Sequence, residues 1–147
     1  MKKVYELEIE QVGYSSDDCT AIVITADDEV KIPAVNGNKE ISVVVELVEI
    51  LARKDLDIVW IELTMDKSDY GTNLRTTGKC KATDLFQFVE ECQYWYYYSG
   101  YGSQELFGTV MLSDGTWLTR SVYDGSEEWE HHKAPETPKW VKLTQSN

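Results

Sequence analysis

Ser42-Val43-Val44-Val45-Glu46-Leu47-Val48-Glu49-Ile50-Leu51-Ala52-Arg53-Lys54, followed at once by Asp57-Ile58-Val59-Trp60-Ile61-Glu62-Leu63, is where the hydrophobic period of this chain changes. Val44, Leu47, Val48 and Leu51 fall at i, i+3, i+4 and i+7, the apolar stripe of an amphipathic helix. Glu46, Glu49, Arg53 and Lys54 supply the wet side, and Ser42 stands where an N-cap is needed. The spacing predicts a helix over about Val43–Lys54, although three consecutive valines lower its intrinsic propensity. Asp57 to Leu63 is too apolar for a half-buried edge and predicts a central strand.

Outward toward the N-terminus, Val4-Tyr5-Glu6-Leu7-Glu8-Ile9-Glu10 alternates without a break, the period of a strand with one wet face. Gly13 to Asp18 reads as a turn and Cys19–Thr25 as a second strand, so the two predict a hairpin. Asp27 to Lys39 holds Pro33 and Gly37 and reads as loop, with room for a short strand at Val30–Ile32. Toward the C-terminus, Lys67 to Lys81 is polar, glycine-containing and the most basic stretch, a loop or loose hairpin. Thr83 and Asp84 then open a second helix whose apolar face (Leu85, Phe88, Val89, Cys92, Tyr96) runs to Tyr98, with Gly100 as its stop. Glu105–Leu112 and Thr116–Tyr123 are strands joined by Asp114-Gly115, a two-residue hairpin signal. The tail from Glu127 is irregular and held down by Trp129 and Trp140. The predicted order is β-β-α-β-α-β-β: an α+β fold, a mainly antiparallel sheet with two helices packed on one face, in one domain spanning residues 1–147.

The 147 residues carry 26 carboxylates against 14 Lys and Arg, a net charge of −12. Residues 1–66 hold 15 carboxylates and 6 Lys/Arg, a net of −9, so the acid is concentrated in the first half. Such a balance repels nucleic acid and membrane surfaces and favours a partner with a basic surface. No apolar run is long enough to span a membrane, and Met1-Lys2-Lys3-Val4 continues into glutamates rather than a signal core. Three scattered cysteines (Cys19, Cys80, Cys92) fit a reducing compartment, so a cytoplasmic protein is expected.

No constellation of catalytic residues stands out, and a non-catalytic protein without cofactor or metal is expected. His131-His132 is flanked by carboxylates, but adjacent residues of an extended chain point to opposite sides, which defeats a shared metal. Gly71 to Gly78-Lys79-Cys80 has six residues between its glycines where a phosphate loop needs four, and Cys80 where it needs a hydroxyl. Lys67, Arg75, Lys79 and Lys81 could nonetheless hold an anionic ligand, with Arg75, Lys79 and Lys81 facing the tyrosines. Tyr94-Trp95-Tyr96-Tyr97-Tyr98, with Tyr101 behind, cannot all face one core if helical. That marks Trp95, Tyr97, Tyr98 and Tyr101 as candidate interface aromatics, for a target or for a homodimer. Glu6, Glu8, Glu10, Asp17, Asp18, Asp27, Asp28 and Glu29 are the candidate acidic contacts; they would imitate a row of phosphates, or simply keep the surface soluble.

Ser113-Asp114-Gly115-Thr116-Trp117, then Arg120, then Tyr123-Asp124-Gly125-Ser126-Glu127-Glu128-Trp129, then Pro135 and Pro138, resembles the end of uncharacterised small proteins encoded by bacteriophages, over about residues 109–138. The resemblance implies a phage or prophage origin. It also implies a function by analogy: an inhibitor that binds a host defence, CRISPR or nucleic-acid-processing protein, some such inhibitors being nucleic-acid mimics. The alternatives are a binder of an anionic nucleotide-like molecule and a self-associating structural protein.

Overall fold

The structure is a computed structural model that describes residues 6–11, 19–24, 29–68, 74–100, 103–134 and 140. Its helices and strands follow the order expected of an α+β fold, with every strand pairing antiparallel. Strands β1 (Glu6–Gln11), β2 (Cys19–Ile24) and β3 (Glu29–Pro33) form a three-stranded meander with β1 and β3 at its edges. A two-residue strand β4 (Ile41–Ser42) leads directly into α1 (Val43–Lys54). The Ser42 hydroxyl accepts from the Val45 amide at 3.1 Å, and Asp55 ends the helix in the left-handed conformation. Val44, Leu47, Val48 and Leu51 are all buried. The three-valine start is no obstacle, because Val43, Val44 and Val45 are buried too and tertiary packing outweighs propensity.

A five-stranded sheet in the order β10-β9-β8-β5-β6 carries the main core. Its strands are β5 (Ile58–Ser68), β6 (Arg75–Ala82), β8 (Leu106–Leu112), β9 (Trp117–Tyr123) and β10 (Ser126–His132). Between β6 and β8 come α2 (Leu85–Cys92) and the short β7 (Tyr96–Tyr97), which pairs with β4. One face of this sheet (Ile61, Leu63 and Met65 of β5; Cys80 and Ala82 of β6; Leu106, Val110 and Leu112 of β8; Leu118 of β9) packs under both helices, and Ile32 of β3 joins the same cluster. The other face carries no helix among the described residues.

Of the two alternatives for Lys67 to Lys81, the hairpin holds: β5 runs on to Ser68, and Arg75–Ala82 returns antiparallel beside it. Four other local readings change. The second helix ends at Cys92 rather than Tyr98. Asp84, not Thr83, is its N-cap, accepting from Gln87 N at 2.9 Å, and the chain after Trp95 takes the extended conformation that aromatic residues favour. The segment from Glu127 is not irregular: Asp124 and Gly125 both have positive φ, the geometry of a tight hairpin, and Ser126–His132 pairs along the whole of β9. Trp129 packs against the core as expected, whereas Trp140 is exposed.

Gly108 sits within β8 at φ +152°, where a Cβ would lie 2.2 Å from the Glu62 carbonyl oxygen of β5. Gly115, at φ +85°, has open space around it. Gly108→Ala is therefore expected to cost about 3 kcal/mol or more, because backbone of a neighbouring strand must move, while Gly115→Ala costs about 1 kcal/mol from its φ alone. Urea titration of the two variants measures the difference; equal losses would show that the β5–β8 approach is not tight.

Candidate interaction surfaces and the buried arginine

Alternation along β9 puts Arg120 on the covered face, two residues after Leu118, where a strand opposite two helices would carry an apolar side chain. Its side chain is 2% exposed, and its surroundings account for that. One guanidinium nitrogen donates to the Tyr97 hydroxyl at 2.8 Å and to Glu127 at 3.3 Å; the other reaches Glu46 at 3.4 Å. The guanidinium carbon lies 5.0 Å from the Tyr97 ring centre and 4.8 Å from that of Trp129, so two aromatic faces flank the cation. Tyr97 donates in turn to Glu46 at 2.8 Å. Glu127 accepts the Glu105 and Leu106 amides at 2.8 and 3.1 Å, which serves two backbone groups at the entry to β8.

The centre holds two carboxylates for one cation. Burial, reinforced by the Glu127 charge, pushes Glu46 above the usual carboxylate range, against the opposing pull of Arg120 and Tyr97. Burial and the Glu46 charge likewise push the Tyr97 phenol up. The acid–base groups gathered around Arg120 are thus bound to one another under α1. The thiols are placed similarly. Cys80 and Cys92 are both buried; Cys80 donates to Glu91 at 3.1 Å, and Cys92 is pushed far up by its hydrogen bond with Cys80 and by burial. A thiol held in its neutral form is a poor nucleophile.

The candidate aromatics separate. Tyr97 is 0% exposed and belongs to the arginine centre, so it is removed from any contact surface; its burial follows from its strand pairing with Ile41. Trp95 is half-buried over Gly78, where a Cβ would meet its ring at 2.8 Å. Tyr94 and Tyr98 are exposed as expected, but the run follows α2 as a turn and strand, so helical geometry is not the reason. Tyr101, Asp17, Asp18, Asp27 and Asp28 lie outside the described residues. Glu6, Glu8 and Glu10 occupy alternate positions of β1, the edge strand, opposite Ile24, Ile22 and Thr20 of β2, and Glu29 pairs with Ile24 from the far side in β3.

The basic residues belong to β6. Arg75 is bound to Asp66, which the pair holds below the usual carboxylate range. Lys79 and Lys81 are exposed on the uncovered face, with Glu62 3.9 Å from Lys81. Lys67 is taken up by Glu40 at 2.8 Å and the Tyr96 carbonyl at 2.9 Å. Lys79 and Lys81 therefore lie across the sheet from Tyr97, and the fold does not bring them together around a ligand. The two histidines take opposite sides as extended geometry requires. His131 accepts from Lys54 at 3.1 Å on the helix side, which leaves Nε2 to donate to Thr116 at 2.7 Å, whereas His132 stacks on Trp117 at 5.7 Å on the open side.

That open side is the feature no local reading of the sequence isolates. In register across four strands stand Trp60, Met111, Trp117 and His132. The next row is Lys81, Glu62, Thr109, Thr119 and Glu130. Beyond it Thr64 pairs with both Lys79 and Phe107, and Ser121 with Glu128. Trp60 and Phe107 remain 38% and 39% exposed. The period-2 pattern contains this face, but only the pairing registers align it. No helix of the described residues is long and apolar enough to cross a membrane, and no group of three His, Cys, Asp or Glu among them is placed to hold a metal. No family model, curated protein or solved structure matches the chain.

Removing Arg120 leaves the buried Glu127 and the partly buried Glu46 without their shared cation. Arg120→Met is expected to cost about 3–5 kcal/mol, the scale of breaking a buried ion pair from one side, and adding Glu127→Gln to it should cost less than the sum of the single changes. Denaturant titration checks both; a loss under about 1 kcal/mol for Arg120→Met contradicts the role given to it. Glu46 also makes a pH prediction. Because its folded pKa lies above the ordinary value of 4.5, its contribution is complete below pH 4.5 and is lost as pH rises through the raised value. The stability advantage of wild type over Glu46→Gln should therefore shrink from pH 4.5 toward neutrality; an advantage that grows would reverse the sign.

Proposed function

We propose that this chain is a non-catalytic binding protein that disables a partner with a basic surface through the carboxylates of its N-terminal half. The observation that carries the reading is β1, an edge strand with glutamate at alternate positions 6, 8 and 10, in the half of the chain with a net charge of −9. Alternate residues of a strand lie on one side of its sheet about 6.6–6.8 Å apart, so three like charges in such a row repel one another. A cationic partner relieves that repulsion, and the long-range field speeds its approach. The buried state of the arginine centre and of both described thiols is consistent with action by contact rather than by chemistry.

The resemblance of the C-terminal pattern to small phage proteins supports a target in the bacterial host: a defence or nucleic-acid-processing protein whose basic groove ordinarily holds phosphates. A partner captured from host extract is purified and titrated with this chain by calorimetry at low and moderate salt. Affinity is expected to fall at least about tenfold as the screening length shortens, and about tenfold again for Glu6→Gln/Glu8→Gln/Glu10→Gln. The partner's action on nucleic acid should stop at stoichiometric inhibitor. Binding indifferent to salt and to the triple change rules the electrostatic reading out.

A further inference from the structure

The uncovered face of the five-stranded sheet has an ordered distribution of charge. Its β6 edge is basic, with Lys79 and Lys81 at alternate positions. Its β10 edge, four strands away, is acidic, with Glu128 and Glu130 at the matching positions. Between them lie Trp60, Phe107, Met111 and Trp117, with threonines in the rows and Glu62, 3.9 Å from Lys81, as the one acidic side chain beside the basic edge in the two rows of Lys79 and Lys81. Neither Lys79 nor Glu128 nor Glu130 makes an ion pair among the described residues. A face that is basic at one edge and acidic at the other does not fit a uniformly basic partner, which would be repelled at β6. It fits its own copy turned over.

We infer that this face is closed by a second copy of the chain, about a two-fold axis that runs parallel to the strands and passes over β8. Such an axis keeps each row at its own level and exchanges the strand order. It sets β6 of one copy over β10 of the other and β5 over β9, while β8 meets itself. Lys81 then faces Glu130 of the second copy and Lys79 faces Glu128. Trp60 faces Trp117, and Met111 and Phe107 each meet their own equivalents. The pairing occurs twice by symmetry, as an isologous contact demands. Two sheets packed face to face sit about 10 Å apart at an angle near −30°, which offsets the outer strands by one or two residues, within reach of a lysine paired with either of two glutamates.

Size is adequate as well. Five strands at about 4.8 Å spacing and about seven residues of length give roughly 24 Å by 24 Å. That is on the order of 600 Å² from each copy, near the lower end of stable interfaces. The net charge of −12 opposes association at long range, but charges farther apart than about 8 Å are screened in physiological salt while the facing pairs are in contact. The acidic row of β1 belongs to a different sheet, so the dimer and the proposed basic partner do not compete for one surface, and either can fail without the other.

The test is a charge exchange read by sedimentation velocity over about 1–100 μM, the range in which a micromolar dimer dissociates. Wild type is expected at twice its chain mass of 16.9 kDa at the upper end. Lys79→Glu/Lys81→Glu and Glu128→Lys/Glu130→Lys, each folded by circular dichroism, should each dimerise at least about tenfold more weakly. Mixed in equal amounts, the two variants should form a heterodimer, because each supplies the charge the other lacks at both edges. Wild type monomeric throughout overturns the inference and leaves the face to a partner of another sequence. Variants that dimerise like wild type, or a mixture that stays monomeric, overturn it equally.

Discussion

One buried guanidinium holds the layers of this fold together. Arg120 on β9 is the point where α1, β7 and β10 meet, through Glu46, Tyr97 and Glu127 respectively. Each contact is ordinary; their convergence is not. A charge taken out of water costs several kcal/mol unless its hydrogen bonds are rebuilt, and here two carboxylates, a phenol and two ring faces rebuild them, with only Nε lacking a partner among the described residues. Because each partner comes from a different element, the guanidinium cannot be satisfied unless all of them are in register. A purely apolar contact between α1 and the sheet would tolerate sliding by a side chain or so. A polar centre with fixed donor directions does not, and it specifies how the helix, the short β4–β7 ribbon and the terminal hairpin sit on one another.

The same centre explains why the last strand exists. Ser126–His132 puts a glutamate and a tryptophan at its covered positions, a poor pattern for a buried strand face, and the sequence reads as irregular tail for that reason. Glu127 is buried because its carboxylate has work on both sides: Arg120 on one, the Glu105 and Leu106 amides on the other. Trp129 is partly buried because it lies against the cation. Neither role is visible without the partners, which are 7 to 22 residues away in the chain. By contrast α1 and the β8–β9 hairpin were legible from local signals alone, since their stripe, cap and Asp114-Gly115 turn are complete within a dozen residues. The end of α2 fell between these cases. Tyr96 keeps helical spacing with Cys92, and what draws the chain out of the helix is non-local pairing of Tyr96 and Tyr97 with Ser42 and Ile41.

Candidate contact residues divide along the same line. Composition identified the acid and the aromatic excess, but a run such as Trp95 to Tyr98 carries no mark of which ring is spent on the core. The structure spends Tyr97 on Arg120 and Trp95 on Gly78, and leaves Tyr94 and Tyr98 outside. Lys79 and Lys81, read with the tyrosines as one basic pocket, stand on the far face because a strand sends alternate residues to opposite sides and Cys80 between them is the one buried.

The division of labour between the two sheet faces follows from the arginine centre. With the covered face locked by groups of fixed direction, little freedom remains for the strands to shift, so the rows on the open face are held in register too. Ordered rows allow charge at one edge to match charge at the other at the level of single residues. A loosely packed sheet carrying the same side chains would present the same composition without the alignment. Trp60, Met111 and Trp117 stand in one row because β5, β8 and β9 are in register beneath them, and that register is held from below by Leu63, Val110, Leu118 and the side chain of Arg120. The order of the rows on the open face is therefore set on the buried one.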